Sequence, residues 1–326
     1  MTGIAGRKNP DGSISILAVA KEDSASYIRK GVAYNIERTA QGLSNIVSKL
    51  KNTLKTEIEQ VYVGIGGQSI HSVKNSIVKE LPLDCIVSQD MVNELMDTNR
   101  SMEYKDCEIL DAITQEYNVD GHYEDAPVGI QARHLEGNFL NVLWRRSFYR
   151  NLNKSLDNSG IKVAEMYLAP LTMADCVLTD AEKRAGCVLV DLGADTTTVS
   201  VYYRNKLRHI AVLPLGGSNV TKDLESLQID EINAEAMKLK HASALTDEKD
   251  IDADATLPIG DGRTIRSCMF IQVVEARMLE IVENVKYLVP HEFADKLLGG
   301  IVLTGGGSLL YGFDKLISER TEIACS

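Results

Sequence analysis

At three places this sequence runs from a short apolar strand straight into a turn stripped of side chains. Ile301–Thr304 leads into Gly305-Gly306-Gly307-Ser308, Gly186–Leu192 leads into Gly193, and Leu207–Leu213 leads into Pro214-Leu215-Gly216-Gly217. Glycine at a strand end is needed where something must lie closer to the main chain than a Cβ allows. Helical patterns separate most of the strands, so the pattern predicts an α/β fold with a mixed sheet. In such sheets ligands lie beyond the carboxyl ends of the strands.

The remaining elements follow from periodicity. Ile14–Val19 is β-branched and alternating, and it follows the turn signal Asn9-Pro10-Asp11-Gly12. Leu43, Ile46, Val47, Leu50 and Leu54 fall at helical spacing over 37–55. Val61–Ile65 reads as a short buried strand. Residues 68–145 are more polar and mixed, with a helix near 89–101 capped by Ser88 and strands around 107–119 and 131–144. A helix is expected over 147–159, with Ser147 as cap and Gly160 as stop. Strand Lys162–Leu168 and helix 170–179 come next. A hairpin then turns at Arg204-Asn205-Lys206, and helices near 231–243 and 268–289 bracket an acidic loop and a second hairpin around Gly260-Asp261-Gly262. Segments 1–50 and 196–227 share one order, strand–turn–strand–helix, which suggests two related halves.

At 326 residues the chain has room for about two domains with real cores. Its 35 Lys and Arg against 46 Asp and Glu give a net charge of −11, which argues against nucleic acid as a partner. Cysteines 85, 107, 176, 187, 268 and 325 are scattered without a C-x-x-C pair and read as reduced cytosolic thiols. No run approaches the roughly 18 apolar residues of a membrane helix. No signal-peptide pattern is read ahead of the first strand.

Each glycine turn has a chemical reading and a bland one. Gly193 with Thr196, Thr197 and Thr198 could aim amides and hydroxyls at phosphate oxygens, with Asp191 beside a hydrated magnesium; it could equally be a polar hairpin lead-in. Gly216-Gly217 opens a helix and could take an anion at its N-terminus, or be a tight strand-to-helix turn. Gly305-Gly306-Gly307 could lie under a planar base, or be a close packing point. Glu235 and Lys238, three apart on a helix, could hold a ribose and base edge, or form a solvated ion pair. Three such turns in one α/β chain point jointly to one ligand. The six histidines show no zinc pattern. Asp250-x-Asp252-x-Asp254 lacks the Gly and Glu of a calcium loop, and no G-x-x-x-x-G-K-[ST] or G-x-S-x-G is present.

Taken in order, D-L-G-x-x-T-T, G-G before a helix, A-E-x-x-K and L-T-G-G-G-S resemble the actin–hexokinase ATPase superfamily. Within it the chain is similar to the FtsA family of bacterial cell-division actin homologues. Ile28-Arg-Lys-Gly-Val32, Val61-Tyr-Val-Gly-Ile-Gly-Gly67, the run Leu207–Gly217 and Ile301–Ser308 carry the likeness, which covers nearly the whole chain. The resemblance implies an actin-like fold of two related halves, each a mixed sheet flanked by helices, with a small α+β insertion in the first half. It implies ATP and Mg2+ in the cleft: Asp191 near the metal; Gly193, Thr196 and Thr197 facing phosphates; Gly216 and Gly217 nearby; Glu235 and Lys238 on the nucleoside; Gly305 and Gly306, with Gly307, at the adenine. It divides the chain into 1–67, an insertion at 68–145, a second half at 146–217 to which 291–326 returns, and a small subdomain at 218–290.

It further implies head-to-tail self-assembly, binding of the tubulin-like division ring protein (FtsZ) through 218–290 with Arg277 as one candidate contact, and other division partners through 68–145. The expected place is the cytoplasmic face of the membrane at the division site, reached through a C-terminal amphipathic helix. That helix and the family's first strand with its phosphate turn are not found here, so a segment of a longer chain, with weaker nucleotide binding, is the expectation. Ala194 and Asp195 stand where the family usually has glycine, Thr198 where it has Asp, and Ala169 where hydrolysing superfamily members place Gln or Glu; hydrolysis is therefore expected to be slow or absent. A type IV pilus adaptor of the same fold and a small-molecule kinase are the alternatives.

Overall fold

A computed structural model describes residues 1–246, 254–259 and 262–325. The acidic loop, the calcium-like run at 250 and 252 and the tip of the second hairpin lie outside the described residues. The chain opens with a hairpin, β1 (Thr2–Lys8) and β2 (Ile14–Lys21), then a two-residue ladder, β3 (Ile28–Arg29) and β4 (Val32–Ala33). Helix α1 (Ile36–Leu54) follows; Asn35 caps it by accepting from the Arg38 amide, and Lys55 ends it in the left-handed region. Its buried Ile46 and Leu50 meet Ala18 and Ala20 of β2 in a small core. Strand β5 (Val61–Ile65) pairs only with β10 (Val163–Leu168), in parallel.

The 68–145 region contains β6 (His71–Glu80), α2 (Gln89–Arg100), β7 (Cys107–Val119), β8 (His122–Glu124) and β9 (His134–Arg145). Ser88 caps α2 as expected, accepting from the Met91 amide. Leu95 of α2 packs on Leu135 and Phe139 of β9. Asn99 and Asn141, both fully buried, satisfy each other at 2.7 and 2.9 Å. Strand β6 was hidden in the sequence, yet it links this region to the rest of the molecule: His71 pairs with Ala211, and the Val212 amide donates to Ile70.

After α3 (Arg146–Ser159), β10, α4 (Ala169–Val177) and α5 (Asp180–Ala185), the chain enters its best-buried part. This comprises β11 (Cys187–Leu192), β12 (Thr197–Tyr203), β13 (Lys206–Leu213), α6 (Gly217–Glu225), α7 (Glu231–His241), β14 (Thr256–Pro258), β15 (Thr264–Arg266), α8 (Ser267–Leu288), β16 (Ile301–Thr304) and α9 (Phe313–Thr321). Ser147 does not cap α3: Arg145 stands at the cap position without a side-chain bond, and Gly160 ends the helix as expected. One sheet runs β16-β11-β12-β13-β6-β9-β7-β8. Strand β11 is buried on both faces. Val188, Val190 and Leu192 join the core under α8 and α9, while Cys187 and Leu189 join a second core with Trp144 and Ile210. Burial pushes the Cys187 thiol up to about 11, so it behaves as a small apolar group. None of the six cysteines is disulfide-bonded, and among the described residues no helix is long and apolar enough to cross a membrane.

The two halves differ at one point. In the second, β11 lies between the hairpin β12–β13 and the parallel strand β16. In the first, the hairpin β1–β2 and the pair β5–β10 are separate two-stranded sheets. A cavity of about 600 Å3 separates them, lined by Gly3, Ile4, Val63 and Ile65 at the strands and by Ile46 and Leu156 from α1 and α3.

Candidate functional site

Strands β11, β13 and β16 all run in one direction. β12 is antiparallel to both β11 and β13, and β16 is parallel to β11. Their carboxyl ends therefore share one edge of the sheet, and the three glycine turns expected to act together arrive there together.

Contacts confirm the convergence atom by atom. A Cβ on Gly216 would stand 2.6 Å from the Gly193 carbonyl oxygen and 2.4 Å from that of Ala194. One on Gly305 would stand 2.4 Å from Asp191 Oδ1, and one on Gly307 2.5 Å from Leu192 Cγ. Gly306 is different: it is exposed, and nothing lies within 4 Å of where its Cβ would be. The 193, 216 and 305–307 bends thus meet at one edge of the sheet, with Gly306 presenting bare backbone to open space.

Asp191 is the polar residue of β11, flanked in register by Thr198 and Thr304. Its carboxyl faces the Gly305 bend. Burial alone raises its pKa above the ordinary carboxylate range. A half-buried carboxylate at the carboxyl end of a strand suits a hydrated divalent cation, which takes one or two carboxylates and fills its other positions with water and phosphate oxygens.

Two expectations need correction. Thr197 is fully buried and donates its hydroxyl to the Leu215 carbonyl at 2.8 Å, so it ties two turns together and presents nothing to a ligand. The start of α6 is not an open anion site either. The Gly217 amide donates to Gly193 O (2.9 Å), Ser218 to Ala194 O (2.7 Å) and Gly216 to Asn219 Oδ1 (2.9 Å). Those donors are spent on the neighbouring turn because glycine lets the two backbones touch. The Gly193 amide is likewise spent on Thr196 O. Among the described residues, the amides of Ala194 and Asp195 donate to no partner and remain the turn's available donors. Thr196 lies on the same turn, half-buried.

Glu235 and Lys238 form more than a surface pair. Lys238 Nζ donates to Glu235 (2.7 Å), Thr221 Oγ1 (2.9 Å) and Gly217 O (3.1 Å), and Thr221 also donates to Glu235. This network pins α7 to the start of α6 and places Lys238 against Gly217, with Glu235 behind it. Arg277 is committed elsewhere: it grips Asp223 through two nitrogens at 2.5 and 2.9 Å and also pairs with Glu280, joining α8 to α6.

The tab β3–β4 was not expected as an element of the site. Gly31 packs against Gly67 so closely that its Cβ would lie 2.5 Å from the Gly67 Cα, and Gln68 donates to Lys30 O at 2.8 Å. From this anchor Lys30 crosses to the second half. Its amide donates to Asp195 Oδ2 at 3.3 Å and its ammonium to Pro214 O. One oxygen of the exposed Asp195 carboxylate thus accepts from the Lys30 amide. Lys30 and Gly31 both have positive φ and form the turn that joins β3 to β4.

A family model described as cell division protein FtsA matches residues 188–325, and one described as the SHS2 domain inserted in FtsA matches 67–143. The cell division protein FtsA of Porphyromonas gingivalis is 33% identical, over 98% of this chain and 69% of its own length. That of Neisseria meningitidis is 30% identical over 95% and 76%, and that of Escherichia coli 27% over 96% and 77%. Among solved structures, the PilM–PilN type IV pilus biogenesis complex aligns with a TM-score of 0.63 at 14% identity, covering 99% of this chain and 83% of that one. MreB5 of Spiroplasma citri bound to ADP aligns at 0.56 and 14%, covering 97% and 74%. At such identities these two speak for the fold alone, and that fold is actin-like.

Proposed function

The chain belongs to the FtsA family of actin-like cell-division proteins, and from that premise we propose that it binds ATP with Mg2+ in the crevice where its three glycine bends meet. The observation that carries this reading is the convergence of those bends beside Asp191. The residues fit the group. Gly306 offers a flat surface for the purine, and the Ala194 and Asp195 amides face the phosphate end. Gly193 and Gly216 allow the close backbone contact that shapes the turn, and Gly217 lies beside them at the start of α6. Glu235 and Lys238 border the nucleoside, and Asp191 holds the hydrated cation, which screens phosphate charge when bound. Ala169, where hydrolysing relatives of the fold carry Gln or Glu, has only a methyl group to offer an attacking water, so the protein is a nucleotide-gated assembly factor with slow turnover.

In the same reading the chain divides into 1–67, 68–145, 146–217 with 291–326, and 218–290; the last meets the tubulin-like ring protein, 68–145 meets other division proteins, and copies assemble head to tail on the cytoplasmic face of the membrane. Bound nucleotide tunes that assembly.

Thermal unfolding tests the nucleotide site. ATP with magnesium at about a hundred times its Kd should raise Tm by about 5 °C. Asp191→Asn should remove the magnesium-dependent part of that gain while raising the Tm of the ligand-free protein. The sign follows from burial. A carboxyl whose folded pKa is raised contributes stability while protonated and loses it as pH rises through the ordinary carboxylate range to the folded value. An amide at 191 escapes that loss at neutral pH. No shift with ATP in the unmodified chain would overturn the reading.

A further inference from the structure

The crevice needs positive charge, and the second half supplies little that is free. The amides at the start of α6 are spent on Gly193 and Ala194, and Lys238 is held by Glu235, Thr221 and Gly217 O. Lys30 is the other lysine that reaches these turns, and it comes from the first half. Its ammonium rests on the Pro214 carbonyl, and none of the ion pairs among the described residues includes it. A cation parked on one neutral carbonyl, half-buried and beside the turn that carries the Ala194 and Asp195 amides, is poised for an anion.

From this we infer that Lys30 is the first half's binding residue for the terminal phosphate of a nucleoside triphosphate, leaving Pro214 O for that phosphate and so coupling the triphosphate to the approach of the two halves. This rests on the ATP-binding reading above. The tab is built for such a role. Gly31 against Gly67 and Gln68 on Lys30 O fix its backbone, so the ammonium moves by side-chain rotation alone. Lys30 contacts Asp195 and Pro214 but nothing in the 305–307 bend, which places it at the end of the crevice away from the base. A nucleoside diphosphate would lack the group that Lys30 reaches, so the residue discriminates between the two nucleotides.

Calorimetric titration of the full chain with ATP–magnesium and with ADP–magnesium tests this. Lys30→Ala should weaken ATP by about tenfold and leave ADP within about twofold, while Lys30→Arg keeps most of the preference. Because the variant tab could distort, lysine acetylation of the unmodified chain gives a second reading: ATP, but not ADP, should protect Lys30. Equal losses for both nucleotides would reduce Lys30 to a structural contact. Unchanged ATP affinity in Lys30→Ala, or equal acetylation with either nucleotide, would overturn the inference while leaving the ATP site intact. An unmodified chain that binds neither nucleotide would overturn both.

Discussion

Gly305→Ala should destabilise the protein by about 3–5 kcal/mol, read as a lower urea midpoint with an unchanged slope. Two independent penalties add. Gly305 has φ 87° and ψ 158°, a region essentially reserved for glycine, where another residue costs about 1–3 kcal/mol. The new methyl would also lie 2.4 Å from Asp191 Oδ1 and 2.5 Å from the Leu192 carbonyl oxygen. Leu192 is itself fully buried on β11, between β12 and β16, so it has nowhere to retreat, and overpacking costs about 1–3 kcal/mol more. Against a typical total of roughly 5–15 kcal/mol this is a large fraction. A loss below about 1 kcal/mol would mean that the bend relaxes easily and that the 305–307 and 191–193 segments are not locked together.

The adjacent residue should behave in the opposite way. Gly306→Asp meets open space, and its φ lies outside the left-handed region. The ligand-free protein should therefore keep its Tm to within about 1 °C, as surface substitutions do. Nucleotide binding should fall by about a hundredfold or more, because a carboxylate would stand on the surface proposed for the purine and carry negative charge toward a triphosphate. Titration with ATP–magnesium beside a melting curve separates the two effects. Full ATP affinity in Gly306→Asp would move the purine off this bend, and a collapsed Tm would show the bend to be structural. Two neighbouring glycines, one protecting the fold and the other the site, make the pair more informative than either alone.

Most elements were legible because their signals are local. Asn9 to Gly12 fixes a hairpin, α1 shows a clean apolar stripe, and β11 is apolar enough to be buried on both faces. Strand β6 was not legible: His71–Glu80 mixes lysines, serines and an asparagine with two valines and an isoleucine, and most of its side chains are only half-buried, so no stripe marks it. At the site, the glycines announced themselves by sequence, but their division of labour did not. Gly216 lets two backbones meet, Gly306 faces space, and Thr197 spends its hydroxyl on Leu215. These distinctions depend on which partner each residue meets across the sheet, which spacing along the chain does not encode. Lys30 was missed for the same reason, since its partners lie 165 and 184 residues away.

Among the described residues the facing edges of β1 and β5 have no strand partner across the cavity between them, and the opening hairpin rests on the small core beneath α1. Sheet edges of this kind fray readily and invite chance pairing with other chains. The molecule is accordingly lopsided in its resilience. Deuterium should enter the amides of β1, β2 and β5 well before those of β11 and β12, and limited trypsin should cut first around Arg7, Lys8 or Lys21. The central sheet and its helices should survive as the durable remnant after the opening hairpin has let go.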